Sequence, residues 1–245
     1  MQVDALALTL RPRSMMEATD LGTRLVQTRA ASVWGSFVPL YLVVAAVALA
    51  TVEIAPWLPG LIIFWLKPWF DRSLLFVLSR AVFGEDTRFA DLWRAQRGVW
   101  WGQLLHTLSL RRLSPWRSFT QAVYQLEGQH GAARRKRRAQ FMRGKRGAAT
   151  AMHFAYAQVE LIFAVSVVSL ALWFDPDWHS GRNFFDLLRG EEGVAASLIY
   201  STVYAAVVLA IEPFYVAAGF AMYLNRRVEL EAWDIEQEFR RAFAA

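Results

Sequence analysis

The chain has 245 residues, 56% of them hydrophobic, with mean hydropathy +0.24 and a formal net charge of +6. That is more apolar than the roughly 45–50% usual for soluble domains, so an ordinary water-soluble globule is a poor fit. With no cysteine, a disulfide framework, a thiol nucleophile and a Cys-ligated zinc site are all excluded.

In chain order, the first thirty-odd residues are polar and mixed, so no cleavable signal peptide is expected. Ser14-Met-Met-Glu17 has capping-box spacing. Met15, Ala18, Leu21, Leu25 and Val26 follow near one helical face, with Gly22 beside them. Residues 14–30 therefore read as an interfacial amphipathic helix lying on a bilayer. From Ala30 to Val52 no residue is charged. About 20 such residues cross a hydrocarbon core, which places a first transmembrane helix at 33–53. Ala55-Pro-Trp-Leu-Pro-Gly60 then reads as a turn with an interfacial Trp57.

The second span has two readings. LIIFWL is too short to cross. The helix either stops near Lys67 or continues through Lys67-Pro68-Trp69-Phe70-Asp71-Arg72 to Phe83. The longer form, 61–83, is preferred because Gly84 supplies a stop. Residues 85–150 form the largest polar segment, read as cytoplasmic and interfacial helices. Ser114-Pro115 reads as a helix start. Residues 98–110 are apolar but too short to span, so they pack on the surface or on neighbouring helices, with a re-entrant segment as the alternative. Spans at 151–174 and 194–223 follow, separated by an outer loop at 175–193. Residues 228–243 read as a cytoplasmic amphipathic helix in which Trp233, Ile235 and Phe239 offer an apolar partner-binding face and the acidic residues favour docking on the basic segment or on a partner.

Orientation follows from basic residues. Of the 27 Lys and Arg, only Arg182 and Arg189 fall in the 175–193 loop, which instead carries five carboxylates. The positive-inside rule then puts both termini in the cytoplasm. The expected fold class is all-α: a polytopic helical membrane protein with about four transmembrane helices plus interfacial amphipathic helices.

Two clusters carry the functional expectations. Glu212-Pro213 places a carboxylate beside a helix-breaking residue in an apolar run, an expensive arrangement that calls for a partner or a water cavity. Lys67, Asp71, Arg72 and Glu160 complete an expected intramembrane polar cluster, with Arg72–Glu212 as its central ion pair, Lys67–Asp71 as an i, i+4 pair and Arg80 within reach of Glu160. The second cluster is Arg134, Arg135, Lys136, Arg137, Arg138, Arg143, Lys145 and Arg146. A polybasic segment just before a span attracts anionic lipid headgroups, so these residues read as lipid-binding. No nucleic-acid-binding motif accompanies them, and nucleic acid is not an expected partner. The four histidines lack HExxH spacing, and no GxSxG, Walker or GxGxxG motif occurs. No cofactor or metal is expected, although Asp175-Pro-Asp177-Trp-His179 is a candidate cation turn.

The stretch EPFYVAAGFAMYLNRRVELEAWDIE, Glu212 to Glu236, resembles the C-terminal signature of uncharacterised bacterial multi-pass inner-membrane proteins. Asp71-Arg72, Ser79-Arg80 and Phe83-Gly84-Glu85 are similar to a pattern in proteins resembling the membrane domain of glycerophosphodiester phosphodiesterases. The resemblance implies a bacterial inner-membrane location and helical architecture. It implies no catalysis, because the soluble phosphodiesterase domain is not in this sequence. The expected function is a non-enzymatic membrane subunit or scaffold in a bacterial inner-membrane assembly, partnered by anionic lipids and by other membrane or cytoplasmic subunits. The alternatives are a transporter or channel subunit gated around the Glu-Pro/Arg cluster and, after it, a lipid-handling membrane enzyme.

Overall fold

The computed structural model describes residues 12–102, 104–109, 113–173 and 194–231. Among these residues the fold is all-helical, without strands. The helices are α1 (Met15–Thr28), α2 (Ala30–Leu49), α3 (Leu58–Ala81), α4 (Phe89–Arg94), a π-helical turn (Arg97–Trp101), α5 (Leu104–Leu108), α6 (Arg117–Gln125), α7 (Gly131–Met142), α8 (Arg146–Trp173) and α9 (Val194–Glu231). Three of them, α2, α8 and α9, are long and apolar enough to cross a membrane. The helix α3 matches them in length but carries Lys67, Asp71 and Arg72 in its middle.

Local signals account for the ends. Ser14 Oγ accepts from the Glu17 amide at 3.1 Å and starts α1. Pro59 stands in the first turn of α3, where its missing N–H costs nothing. Gly84, with φ +79°, turns the chain after α3 in a conformation that other residues resist. The prolines 39, 68 and 213 lie inside α2, α3 and α9 without ending them. The helix α9 runs on past Arg226-Arg227, so the C-terminal span and the start of the acidic segment are one continuous rod.

The rod α9 organises the fold. Asn225 clamps Arg13 at both backbone groups, Nδ2 donating to its carbonyl and Oδ1 accepting from its amide, each at 2.9 Å. Gly22 meets the backbone of Ala217 and Ala218. Tyr41 donates to the carbonyl of Ala205 at 2.7 Å. These contacts step backward along α9 as they step forward along α1 and α2, so the first two helices run antiparallel to it. The expected helix at 14–30 is present as α1, and it packs along α9. Glycine at 22 and alanines on the facing turns let the two backbones approach, and the apolar side of α1 is spent on α9.

Beyond α3, Ser32 and Ser36 hold the carbonyl of Thr87 at 3.1 and 2.7 Å. The chain then forms a hairpin that reaches along α3 and returns. Trp100 Nε1 donates to Ser73 Oγ at 3.0 Å, and Trp65 Nε1 donates to the carbonyl of Leu108 at 3.2 Å. The return limb, α6, passes so close to α9 that Gly219 lies against Ser118. In contrast, only 6% of the apolar stretch of α8 is buried, against 72% for α9.

Replacing Gly22 with Ala puts a methyl into the α9 backbone and should lower stability by about 1–3 kcal/mol, the usual cost of overpacking. Gly35→Ala, where nothing lies within 4 Å, should not lower it. Thermal unfolding of the purified variants reads both; equal melting temperatures for Gly22→Ala and the parent would contradict the close packing.

Candidate functional site

The four elements α3, α6, α8 and α9 converge on a chain of alternating charge. Lys67 Nζ lies 2.5 Å from Glu160 Oε2 and 2.8 Å from Glu212 Oε2. The other oxygen of Glu212 accepts from Arg117 Nη2 at 2.8 Å, and Arg117 Nε lies 2.6 Å from Asp71 Oδ2. The order is Glu160, Lys67, Glu212, Arg117, Asp71. Asp71, Glu212, Lys67 and Arg117 are all buried, while Glu160 is partly exposed. Removing such ions from water costs several kcal/mol each, so they persist only as a matched set.

Arg117 also stacks on Tyr215, its guanidinium carbon 5.0 Å from the ring centroid. The Tyr215 hydroxyl is 3.1 Å from His153 Nδ1. A cavity of about 410 Å³ opens beside the network. Lys67, Arg117, His153, Glu160 and Glu212 line its polar side, and Phe64, Leu161 and Ile211 are among its apolar walls.

The expected central pair, Arg72–Glu212, is not the one formed. Arg72 instead donates to the carbonyls of Val99 and Gly98 at 2.5 and 2.8 Å and to Thr107 Oγ1 at 3.3 Å. It caps backbone groups that the π-helical turn leaves open. The register of α3 explains the exchange: one residue apart, Asp71 and Arg72 point to different sides, Asp71 toward α6 and α9 and Arg72 toward the hairpin. The Lys67–Asp71 pairing is likewise replaced, because each finds an opposite charge on another helix. Arg80 pairs with Glu85 at 3.1 Å and leaves Glu160 to Lys67. Pro213 sits next to Glu212 within α9.

Arg117 is the member that the sequence reading missed. It lies outside the long apolar runs, directly after a Ser-Pro-Trp helix start that drew attention to Trp116 and its apolar spacing. A charge tally gave no clue, because Asp71, Glu160 and Glu212 are matched in number by Lys67, Arg72 and Arg80 in those runs.

The basic cluster divides into two groups. Arg137 bridges Glu127, at 2.7 Å, and Glu231. The Glu127 hydrogen bond, opposed by burial and helped by Glu231, holds the Arg137 guanidinium above its ordinary pKa. Lys145 pairs with Glu229 at 2.8 Å, and the carbonyl of Arg143 accepts from Arg226 at 3.1 Å. The start of the acidic C-terminal segment is thus docked on residues 137–145. Arg134, Arg135, Arg138 and Arg146 instead surround a separate cavity with Trp116 and Tyr124, and Lys136 is exposed. The residues Trp233, Ile235 and Phe239 and the 175–179 turn lie outside the described residues. Among the described residues, no cluster of three His, Asp or Glu has metal-holding geometry.

Fold and site together define an all-helical protein with three potential membrane-crossing helices and a buried ionic network beside a cavity. No protein family, curated protein or solved structure matches this chain.

Lys67→Met should destabilise by about 3–5 kcal/mol, since it strands Glu160 and Glu212 in a desolvated site. Pairing it with Glu212→Met should recover part of that loss, giving a favourable coupling in a double-mutant cycle measured by chemical or thermal unfolding. Strict additivity of the two changes would show that the ions do not act as a pair.

Proposed function

We propose that the chain is a non-enzymatic integral subunit of a bacterial inner-membrane assembly. In this reading α2, α3, α8 and α9 cross the bilayer, and both termini and the α7 end lie in the cytoplasm. The hairpin between α4 and α6 is then re-entrant: it reaches bilayer depth and returns. The observation that carries the proposal is the complete interlinking of Glu160, Lys67, Glu212, Arg117 and Asp71 across four helices. A network whose members are committed to one another fixes helix register and forms a rigid platform. The apolar, mostly uncovered α8 suits lipid or a neighbouring transmembrane helix, and Arg72 donates to the Val99 and Gly98 carbonyls, which lowers the cost of burying that part of the hairpin.

A second reading has one observation in its favour. The cavity of about 410 Å³ touches Lys67, Glu160, Glu212 and His153, and ionisable groups in the wall of a largely apolar cavity suit a solute or proton pathway in a transporter or channel subunit. Glu160→Gln tests it most cleanly, because Lys67 keeps Glu212 as a partner. Unchanged transport by the reconstituted native assembly would remove that reading.

The absence of cysteine allows a direct test of topology. Ile54→Cys should react with a membrane-impermeant maleimide in intact cells, whereas Ala132→Cys should react only after the membrane is opened; the reverse pattern, or equal labelling, overturns the four-span arrangement. Native mass determination of gently purified protein tests the subunit role. A stoichiometric protein partner is expected, and a chain that always purifies alone contradicts it. Removing residues 232–245 shows whether the C-terminal segment holds that partner, and it spares Glu229 and Glu231, which pair with Lys145 and Arg137.

A further inference from the structure

The basic cluster serves two surroundings. Arg137 and Lys145 are neutralised within the chain by Glu127, Glu231 and Glu229. Arg134, Arg135, Arg138 and Arg146 instead line a cavity of about 280 Å³ whose lining includes no carboxylate. Like charges three residues apart on one helix repel each other, so placing Arg135 and Arg138 at one hollow costs stability that an anion there would recover.

The cavity is constructed around an aromatic floor. Arg138 and Arg146 lie over the ring of Trp116 at 5.7 and 5.8 Å, and Arg134 lies over Tyr124 at 5.3 Å. Trp116 is itself fixed, because its Nε1 donates to Thr150 Oγ1 at 2.7 Å. These contacts hold the guanidinium planes in place before any ligand arrives. Arg138 Nε is buried and has no hydrogen-bond partner within the protein, an unsatisfied charged donor at the wall of the site. Guanidinium groups recognise phosphate oxygens through paired N–H donors, and several around one hollow suit a phosphate better than a carboxylate.

Position identifies the source of that phosphate. Arg146 is the first residue of α8, whose apolar stretch runs from Arg146 to Leu170. Phe154, Leu161 and Ile162 on that helix are more than half exposed and offer a track for acyl chains leading away from the cavity. We propose that the pocket of Arg134, Arg135, Arg138 and Arg146 over Trp116 binds the phosphate of an anionic phospholipid headgroup, with the acyl chains along α8. The placement of the acyl chains rests on the four-span reading; the phosphate site does not.

The test uses the full-length protein in mild detergent, titrated with phosphatidylglycerol, cardiolipin or phosphatidylcholine, with bound lipid counted by native mass. The parent is expected to retain the anionic lipids and release phosphatidylcholine. The pair Arg135→Gln and Arg138→Gln should weaken anionic-lipid binding at least about tenfold, given the attraction per basic residue near a lipid surface. The charge-matched pair Arg94→Gln and Arg97→Gln, outside the pocket, should leave it unchanged. Arg146→Gln, on a different helix, should repeat the loss, and circular dichroism with a melting curve checks that each variant is folded. Equal losses in the two double variants would mean diffuse attraction and overturn the site. Inorganic phosphate or glycerol phosphate binding as tightly as the lipids would assign the pocket to a soluble phosphate and overturn the lipid assignment. Extraction of the chain from membranes by alkaline carbonate would defeat the four-span reading alone, so the two failures are distinguishable.

Discussion

The pairing of Glu212 with both Lys67 and Arg117 is the constraint on which the other contacts depend. A carboxylate buried in the middle of α9 is stable only where cations reach both of its oxygens, and they come from α3 and from the hairpin. Lys67 must then also satisfy Glu160 on α8, and Arg117 must satisfy Asp71 on α3. A slip of one helical turn, about 5.4 Å, in any of these helices would break at least one contact and strand a charge. The network therefore sets register in a way that the surrounding Leu, Val and Ala contacts do not, because apolar surfaces tolerate sliding and ions do not.

This constraint also explains the hairpin. The hairpin that carries Arg117 to Glu212 runs beside α3 and buries Val99 and Trp100 of the π-helical turn, so the carbonyls of that turn need donors from the protein. Arg72 answers that need by donating to Val99 and Gly98, while Gln125 donates back to the Arg72 carbonyl at 2.8 Å. Trp65, Trp69 and Trp100 fill the space between hairpin and α3 and hold both ends of the contact. One helix, α3, thus serves two polar systems from adjacent residues: Asp71 for the ionic chain and Arg72 for the hairpin backbone.

At the far end of α9 the electrostatics are different in kind. Glu127, Glu229 and Glu231 neutralise Arg137 and Lys145 at positions that remain partly exposed, so these contacts orient α7 more than they stabilise it. Their effect is selective. They engage two members of a dense basic run, while Arg134, Arg138 and Arg146 lie over Tyr124 and Trp116. A rigid ionic platform, an uncovered apolar helix and a cationic hollow at its end fit a subunit that stands against lipid and against neighbouring chains.

The sequence by itself determined the helical character of the chain, the long apolar stretches and the importance of Glu212, Lys67, Asp71 and Glu160, because hydrophobic run length and the cost of burying a charge are local properties. It also marked residues 134–146 as a basic segment. It left the choice of partners open. The residue pattern favoured Arg72 as the partner of Glu212 and did not point to Arg117; only the facing of neighbouring α3 residues and the path of the hairpin gave that place to Arg117. The role of Gly22 was equally hidden, since a glycine that weakens an isolated helix becomes favourable once another backbone lies against it. Which members of the basic run meet Glu229 and Glu231 likewise depended on the path of α9. Charge complementarity is long-ranged in sequence and short-ranged in space, so tertiary packing, and not residue pattern, selects which opposite charges meet.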